Sequence, residues 1–230
     1  MAARIAIFGG SFDPVHRGHV AVGKALLAQL DLQAFHFLPC AIHAHKAALQ
    51  FNDQARVDML KLALADQAGL ELDLRELVRS GVSYTIDSCR EVRDEFGREA
   101  SIGLVIGDDL LPTLHRWKDW QLLLDYVNLV VINRAQDSLD ENGDDALHKS
   151  SDPAPRDAAV SGLMVNSVST MARAAGDVVI LNLTERQVSS TAVRRILLSN
   201  ELTSSEKADA LAERLDSRVI QYLQANHYIK

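Results

Sequence analysis

The stretch that decides the fold is residues 5–19, which read IAIFGGSFDPVHRGH. Its first four residues, Ile5–Phe8, form an apolar run typical of a buried β-strand, and a glycine-rich turn follows. Apolar residues at helical spacing then predict a helix over His19–Leu30. A turn between a strand and a helix start presents backbone N–H groups and the positive end of the helix dipole, which together favour a phosphate. Because His16 and His19 add side-chain donors, this stretch predicts a phosphate-binding loop.

The residues of this stretch exclude two better-known phosphate-binding loops. The Walker pattern requires a glycine, four residues and then Gly-Lys-Ser or Gly-Lys-Thr, and no such run follows Gly9 or Gly10. The dinucleotide fingerprint Gly-x-Gly-x-x-Gly is also absent. The alternative without a function is a strand–helix connector whose histidines only cap the helix or pack against it.

Short apolar runs alternate with helical patterns along the whole chain. The predicted strands are Ile5–Phe8, Phe35–Leu38, Leu70–Leu74, Ile102–Ile106, Leu129–Ile132 and Val178–Leu183. The predicted helices are His19–Leu30, Asp53–Ala65 capped by Asn52, Thr85–Phe96 preceded by Ser83 or Tyr84, Asp119–Leu124, Thr191–Leu198, Lys207–Arg214 and Arg218–Ala225. This alternation predicts an α/β fold of Rossmann-like, doubly wound type, with a mostly parallel sheet and helices on both faces. Ligands of such sheets bind beyond the carboxyl ends of the strands, so residues 11–19 and 107–109 are expected to share one crevice.

Size and charge restrict the class of protein. A chain of 230 residues fits one domain over 1–230. The formal net charge of −7 and the pI near 5.6 argue against a nucleic-acid partner, which requires a basic face. Cys40 and Cys89 follow no metal-ligand spacing and fit a reduced protein. With no signal-peptide pattern and no apolar run long enough to cross a bilayer, we expect a cytoplasmic protein without a membrane partner.

The segment 135–156 departs from the strand–helix alternation. It contains Asp, Glu, Gly and Pro residues without apolar periodicity. Such a segment buries too little apolar surface to offset its ordering entropy. We therefore expect a mobile acidic surface loop, more consistent with a tolerated insertion than with a functional lid.

Lys46 is a candidate phosphate ligand in the loop after the second predicted strand. Its ammonium group can reach a polyphosphate as a mobile point charge. A metal site at His43 and His45 is the rival interpretation, but no third ligand stands at a useful spacing. A solvated loop without a role fits the spacing of these residues equally well.

Further candidates follow the later strands. Asp109, after Gly107 and Asp108, is placed to hold a ribose diol, although both aspartates fit helix N-caps equally well. Trp117 can stack on a flat ring. Ser83 before a helical pattern is a capping signal.

The sequence VSSTAVR at residues 188–194 opens another predicted helix. Ser190 and Thr191 supply hydroxyl and backbone donors at the positive helix end, and Arg194, about one turn inside, can bind phosphate oxygens through two N–H groups. The alternative is a helix cap with an incidental arginine.

Together these motifs resemble one family of enzymes. Residues 9–19 resemble the signature of nucleotidyltransferases that join a nucleoside monophosphate to a phosphorylated acceptor. The Phe-Asp-Pro form of that signature, with Tyr84-Thr85 and Trp117, is similar to nicotinate-nucleotide adenylyltransferase. Residues 188–194 resemble the family's Ile-Ser-Ser-Thr-x-Ile-Arg signature, and His45-Lys46 match its basic loop, although Ala44 and Ala47 stand where that loop usually has prolines.

The resemblance implies transfer of AMP from ATP to nicotinate mononucleotide, giving deamido-NAD and pyrophosphate by in-line attack of the acceptor phosphate on the α-phosphate. The implied catalytic residues are His16, His19, Lys46 and Arg194. The implied ATP-binding residues are Gly9, Gly10, Ser11, Phe12, His16, His19, Lys46, Gly107, Asp109, Ser190, Thr191 and Arg194. The implied residues for nicotinate mononucleotide are Ser11, Tyr84, Thr85 and Trp117. No metal site made by the protein is implied, and Mg²⁺ is expected to bind mainly through the phosphates of ATP.

ATP and nicotinate mononucleotide are thus the expected partners of a monomer or homodimer. Two alternatives stay open. One is an adenylyltransferase of the same superfamily that uses nicotinamide mononucleotide or phosphopantetheine, and the other is a nucleotide-binding regulator without catalysis. Release of pyrophosphate that depends on nicotinate mononucleotide distinguishes all three.

Overall fold

The computed structural model of the protein describes residues 2–41, 49–79, 81–134, 168–183 and 188–229. The acidic segment 135–156 and the segment 42–48 that contains His43, His45 and Lys46 lie outside these residues. The mobile acidic loop therefore stays a prediction. In the part of the chain that the structure describes, no helix is long and apolar enough to cross a bilayer.

Six strands among the described residues form one sheet. They are β1 (Arg4–Gly10), β2 (Ala34–Pro39), β3 (Leu70–Leu72), β4 (Ser101–Gly107), β5 (Asn128–Arg134) and β6 (Val178–Leu183). Their order is β3-β2-β1-β4-β5-β6. The pairs β2–β3, β4–β5 and β5–β6 are parallel, with Phe35 opposite Leu70 and Val105 opposite Val130. This is the strand order of dinucleotide-binding folds, and it confirms the predicted Rossmann-like α/β fold with a parallel sheet.

The central strands are buried along nearly their whole length. All six residues of β2 are buried, as are six of the seven residues of β4. Strands covered on both faces need no polar alternation, which explains why they read as continuous apolar runs. The same property made them recognisable in the sequence.

The helices among the described residues lie between and after these strands. They are α1 (Arg17–Gln29), α2 (Asp53–Leu64), α3 (Arg75–Val78), α4 (Thr85–Phe96), α5 (Leu123–Tyr126), α6 (Ser190–Leu198), α7 (Ser204–Ala212) and α8 (Ser217–Ala225), with 3₁₀ helices at Asp108–Arg116 and Trp120–Leu122. The side chain of Asn52 accepts a hydrogen bond from the Ala55 N–H at 2.9 Å, so Asn52 caps α2 as predicted.

Some predicted boundaries are wrong because local hydrogen bonds override periodicity. Strand β3 ends at Leu72, since the Asp73 carboxylate accepts from the Arg75 N–H at 3.0 Å and so begins α3. Helix α7 begins at Ser204, ahead of the predicted Lys207, because Thr203 and Glu206 form a capping box. The Thr-x-x-Glu spacing of that box was a usable signal in the sequence.

The helix predicted over Asp119–Leu124 is also corrected. Asp119 has a φ of 50°, in the left-handed region, so it cannot open an α-helix. A short 3₁₀ helix at Trp120–Leu122 and then α5 replace the predicted element. The 3₁₀ helix at Asp108–Arg116, which contains Pro112, was not predicted.

The chain divides into two compact units. Unit 1 contains residues 1–6 and 84–184, and unit 2 contains residues 7–83 and 185–230. Residues 11–19 belong to unit 2 and residues 107–109 to unit 1. The crevice that these stretches were expected to share and the single domain over 1–230 both stay predictions.

An aromatic cluster fills the core of unit 2 beneath the glycine-rich turn. The rings of Phe8, Phe12, Phe35 and Phe37 lie with centroids 5.2–6.1 Å apart, mostly edge to face. The ring of His19 joins this cluster, 5.0 Å from that of Phe12. Such contacts stabilise aromatic pairs by about 0.5–1.5 kcal/mol beyond burial. The cluster therefore gives the turn a rigid base.

Candidate active site

The turn from β1 to α1 is held in shape by Phe12. Its φ is 45°, a conformation that a bulky residue adopts only when its surroundings enforce it, and the residue is 1% exposed. A Cβ on Gly10 would lie 3.1 Å from the Phe12 ring, whereas a Cβ on Gly9 would have nothing within 4 Å. Gly10 thus makes room for the Phe12 ring, and Gly9 leaves open space over the turn.

His16 and His19 cap the first turn of α1 reciprocally. The His16 Nδ1 accepts from the His19 N–H at 3.3 Å, and the His19 Nδ1 accepts from the His16 N–H at 3.2 Å. The two rings stack with centroids 3.6 Å apart and 15° between their planes. Because each Nδ1 is an acceptor, the neutral ring carries its proton on Nε2. The two Nε2 atoms are therefore hydrogen-bond donors.

This geometry also explains why α1 begins earlier than predicted. Histidine is not among the common N-cap residues, so periodicity placed the start at His19 instead of Arg17. The interpretation of the histidines as caps is therefore correct as far as it goes. Capping engages Nδ1, a different atom from the Nε2 through which a ring would donate to a phosphate, so capping does not by itself exclude phosphate binding.

The start of α6 is bound to the same turn. The Ser190 hydroxyl donates to the Pro14 carbonyl at 3.0 Å. The Arg194 guanidinium donates from Nη1 to the Asp13 carbonyl at 2.7 Å and from Nη2 to the Thr191 hydroxyl at 3.1 Å. The predicted residues Ser190, Thr191 and Arg194 thus lie beside the stretch that contains His16 and His19, although far from it in sequence.

Asp13 connects this turn to the chain that follows the segment 42–48. Its side chain is 5% exposed, and its two carboxylate oxygens accept from the Gln50 and Phe51 N–H groups at 2.9 Å each. The Arg194 Nη1 lies 3.7 Å from the same carboxylate. A buried carboxylate needs such partners, and the Phe-Asp-Pro part of the motif therefore has a structural reason.

Arg56 in α2 is a site-supporting residue that the sequence did not reveal. Its side chain is fully buried and donates to the Ser11 carbonyl at 2.6 Å, to the Cys40 carbonyl at 2.7 Å and to the Asp53 carboxylate at 2.7 Å. It ties the turn to the end of β2. An arginine on a predicted amphipathic helix reads as a solvent-facing position, so no signal in the sequence indicated its burial.

The residues predicted to bind the pyridine ring lie in unit 1. Tyr84 is the N-cap position of α4, and no side chain caps this helix. The predicted Ser83 cap is therefore wrong, because the Ser83 hydroxyl donates to the Glu76 carbonyl at 3.4 Å instead. Thr85 opens α4, and Trp117, half-buried, follows the 3₁₀ helix at Asp108–Arg116.

The residues predicted to bind the ribose lie at the end of β4. Gly107 is its last residue and the N-cap of the 3₁₀ helix, which rules out the predicted cap roles of Asp108 and Asp109. Both aspartates lie in the first turn of that helix, and Asp109 is exposed. Its carboxylate is thus accessible to a ligand beyond the strand end.

The groups near the start of α4 include a cation that the sequence did not single out. The Lys118 ammonium lies 4.5 Å from the centroid of the Tyr84 ring and 3.3 Å from the Asp87 carboxylate. Arg90 lies 3.3 Å from the other oxygen of Asp87. The hydroxyl of Tyr126 and, less strongly, the acidic side chains near Arg90 raise the pKa of its guanidinium.

Comparisons with known proteins agree with this fold and identify the family of the chain. A family model described as cytidylyltransferase-like matches residues 7–196. Relatives from Cellvibrio japonicus and Legionella pneumophila, both named "Probable nicotinate-nucleotide adenylyltransferase", are each 41% identical, over 134 and 132 residues. The matched region covers 58% and 57% of this chain and 64% and 62% of those relatives, so the chain spans less than two thirds of their length.

A solved structure has the same fold. The nicotinic acid mononucleotide adenylyltransferase of Plasmodium falciparum, complexed with NaAD, superposes with a TM-score of 0.68 at 16% identity. The superposition covers 98% of this chain and 97% of that one. At that identity the likeness establishes the fold and leaves the chemistry to be argued from the site.

Proposed function

The chain belongs to the cytidylyltransferase-like family, and from that premise we propose that it transfers AMP from ATP to nicotinate mononucleotide, giving deamido-NAD and pyrophosphate. The observation that carries the proposal lies in unit 2. There the stacked pair His16 and His19 and the α6 residues Ser190 and Arg194 are bound to one glycine-rich turn. The relatives named for this activity support the same acceptor.

The proposed reaction needs no nucleophile from the protein. An oxygen of the acceptor phosphate forms a bond to the α-phosphorus of ATP. The bond from that phosphorus to the oxygen that bridges to the β-phosphate breaks, and pyrophosphate leaves with the electron pair. Catalysis then consists of holding two phosphates in line and stabilising the charge that develops between them.

The stacked histidines are suited to that task. Their Nδ1 atoms accept from backbone N–H groups, so each neutral ring carries its proton on Nε2, at the positive end of α1. The His19 ring also rests on Phe12, 5.0 Å away. Donors held rigidly in this way need little reorganisation when charge grows on the α-phosphate oxygens, and such preorganisation is the main source of electrostatic catalysis.

Arg194 and Lys46 are assigned to the leaving pyrophosphate. The Arg194 side chain is 30% exposed and is anchored to Asp13 and Thr191 at the turn. A guanidinium can bind phosphate oxygens through two N–H groups at once. The assignment of Lys46 rests on the sequence motif. The described residues on either side of its segment contact the turn, since the Gln50 N–H donates to the Asp13 carboxylate and the Cys40 thiol donates to the Gly10 carbonyl.

A reaction at the phosphates of ATP implies Mg²⁺, which binds to those phosphates. Within the described ranges, no three His, Cys, Asp or Glu side chains converge as a metal site, and the Asp13 carboxylate is already bound to two backbone N–H groups. This donor set fits an ion that arrives on the phosphates of ATP. When bound, Mg²⁺ neutralises phosphate charge, while His16, His19 and Arg194 orient the same phosphates.

The remaining contacts are assigned by motif. Gly9, Gly10, Ser11 and Phe12, at the end of β1 and in the turn after it, are assigned to ATP. Gly107 and Asp109 are assigned to its ribose, and Tyr84, Thr85 and Trp117, with Ser11, to nicotinate mononucleotide. The uncapped start of α4 supports the last assignment, because its N–H groups and dipole suit a carboxylate. The cytoplasmic location, the monomeric or homodimeric state and the lack of nucleic-acid and membrane partners stay predictions from composition.

The experiment is a substrate profile. Purified protein is given ATP and Mg²⁺ with nicotinate mononucleotide, nicotinamide mononucleotide or phosphopantetheine, and pyrophosphate is measured. We expect at least tenfold higher kcat/KM for nicotinate mononucleotide, because an amide would leave an N–H donor unpaired against the helix start, at a cost of about 1–3 kcal/mol. Faster turnover with another acceptor would reassign the substrate, and nucleotide binding without pyrophosphate release would identify a regulator.

A further inference from the structure

A cluster of four charges surrounds the start of α4 in unit 1. The Lys118 ammonium lies 3.3 Å from Oδ2 of Asp87 and 4.5 Å from the centroid of the Tyr84 ring. Arg90 lies 3.3 Å from Oδ1 of Asp87 and 3.7 Å from the Asp119 carboxylate. Two acidic groups are thus matched by two basic ones.

The negative charge of Asp87 lies where an anionic ligand would approach the helix start, so the cations that neutralise it affect the binding of that ligand. Asp87 is the third residue of α4, where a carboxylate stabilises the helix dipole. The same negative charge repels any anion that approaches the helix start. Its two carboxylate oxygens are covered by two different cations, Arg90 and Lys118.

The two cations are not equivalent. Arg90 pairs with both Asp87 and Asp119 and lies 5.5 Å over the Tyr126 ring. Lys118 pairs with Asp87, is 42% exposed, and lies over Tyr84, the residue that begins the helix. It also follows Trp117 directly in the chain. Lys118 is therefore a cation in contact with a group assigned to the pyridine ring.

We propose that Lys118 is a specificity-determining residue, whose ammonium group makes this helix start favour the negatively charged carboxylate of nicotinate over the neutral carboxamide of nicotinamide. The inference rests on the proposed function and adds the side chain that sets the choice between acid and amide. Lys118 cancels the repulsion from Asp87 and places a positive charge beside the carboxylate. A neutral amide gains from neither effect.

The test compares kcat/KM for nicotinate mononucleotide and nicotinamide mononucleotide in the 230-residue chain. For Lys118→Met we expect kcat/KM for the acid to fall about three- to tenfold and that for the amide to stay unchanged, as fits one screened charge near an exposed site. Lys118→Arg retains the charge and should retain the ratio. Arg116→Met, which removes an equal charge from an exposed position two residues earlier, should leave the ratio unchanged.

The dependence of kcat/KM on ionic strength distinguishes a charge effect of Lys118 from a purely structural one. The difference between wild type and Lys118→Met should shrink at about 0.5 M KCl, since salt screens an exposed charge. Lys118→Gln repeats the comparison with a polar side chain if the methionine variant is poorly folded. An equal fall for both acceptors, or an unchanged ratio, would overturn the role of Lys118. Wild-type protein without pyrophosphate release from either acceptor would instead overturn the proposed function.

Discussion

The imidazole rings of His16 and His19 stack with centroids 3.6 Å apart, while each Nδ1 accepts the backbone N–H of the other residue. Both rings are therefore fixed by the helix that they open. The arrangement joins a structural role, the N-terminal cap of α1, to a chemical one, because it fixes Nε2 as the donor atom of each neutral ring. Variants of either histidine must therefore be measured for both stability and activity.

His19→Ala should lower kcat about 10²- to 10³-fold, the usual loss when a preorganised donor to a transition-state oxygen is removed. The same variant removes half of a capping box, which costs about 0.5–2 kcal/mol of stability. Steady-state pyrophosphate release and thermal melting are measured together on the purified variant.

Thr203→Ala is the matched control for that variant. It breaks the capping box of α7, where Thr203 and Glu206 bind each other's backbone N–H groups. It should lower the melting temperature to a similar extent and leave kcat unchanged. If His19→Ala also kept its kcat, His19 would be only a cap.

Gly9→Ala, compared with Gly10→Ala, tests whether each glycine is required by a bound ligand or by the fold. A Cβ at Gly9 meets nothing within 4 Å, whereas a Cβ at Gly10 lies 3.1 Å from the Phe12 ring. Gly9→Ala should keep the melting temperature and raise KM for ATP severalfold, and Gly10→Ala should lower the melting temperature. Unaltered ATP kinetics in Gly9→Ala would show that no phosphate approaches the backbone there.

Arg194→Ala should weaken the use of ATP far more than the binding of nicotinate mononucleotide, since its guanidinium is assigned to the polyphosphate. Arg195→Ala is the control, because the neighbouring arginine is exposed and removes the same charge from α6. Lys46→Ala should resemble Arg194→Ala. Calorimetry with each ligand measures the losses, and equal losses for both ligands would contradict the polyphosphate roles.

The sequence predicted the fold because the fold depends on apolar runs. The bounds Val178–Leu183 and Thr85–Phe96 agree with β6 and α4 residue for residue. Residues His16, His19, Ser190, Thr191 and Arg194 were recognised from motifs, and the structure places them together in unit 2.

The supporting contacts were not predictable, for a physical reason. Arg56 is fully buried, and its three acceptors come from residues 11, 40 and 53. Lys118 lies over Tyr84, a residue 34 positions earlier in the chain. The partners of a buried or paired cation come together only in the folded chain, so the sequence does not show them. Apolar periodicity predicts only which face of a helix is buried.

Asp216→Asn should reveal an acid-sensitive ion pair at the start of α8. The Arg218 side chain, which donates to the Asp216 carboxylate, lowers the pKa of that carboxyl against the opposing effect of burial. A depressed pKa in the folded state stabilises the protein above the unfolded pKa, and this stabilisation is lost as the pH falls from about 4 through the folded pKa.

Asparagine caps a helix as well as aspartate does, so the variant removes the charge and keeps the cap. Near pH 7 we expect the melting temperature to fall by about 1–3 °C, as fits a partly exposed pair. The difference should shrink as the pH falls below about 4, the pKa of an unfolded aspartate. Asp209→Asn, at an exposed position of α7, should change the melting temperature at neither pH, and a difference for Asp216→Asn that does not shrink in acid would exclude the ion pair as its cause.

The central claim is that the phosphate of nicotinate mononucleotide attacks the α-phosphorus of ATP. It is tested most directly by supplying nicotinate mononucleotide labelled with ¹⁸O in its phosphate and following both products by mass spectrometry. The account predicts deamido-NAD that retains all of the label, with an equal amount of unlabelled pyrophosphate. Label in the released pyrophosphate, or no pyrophosphate release at all in the presence of this acceptor, would contradict it.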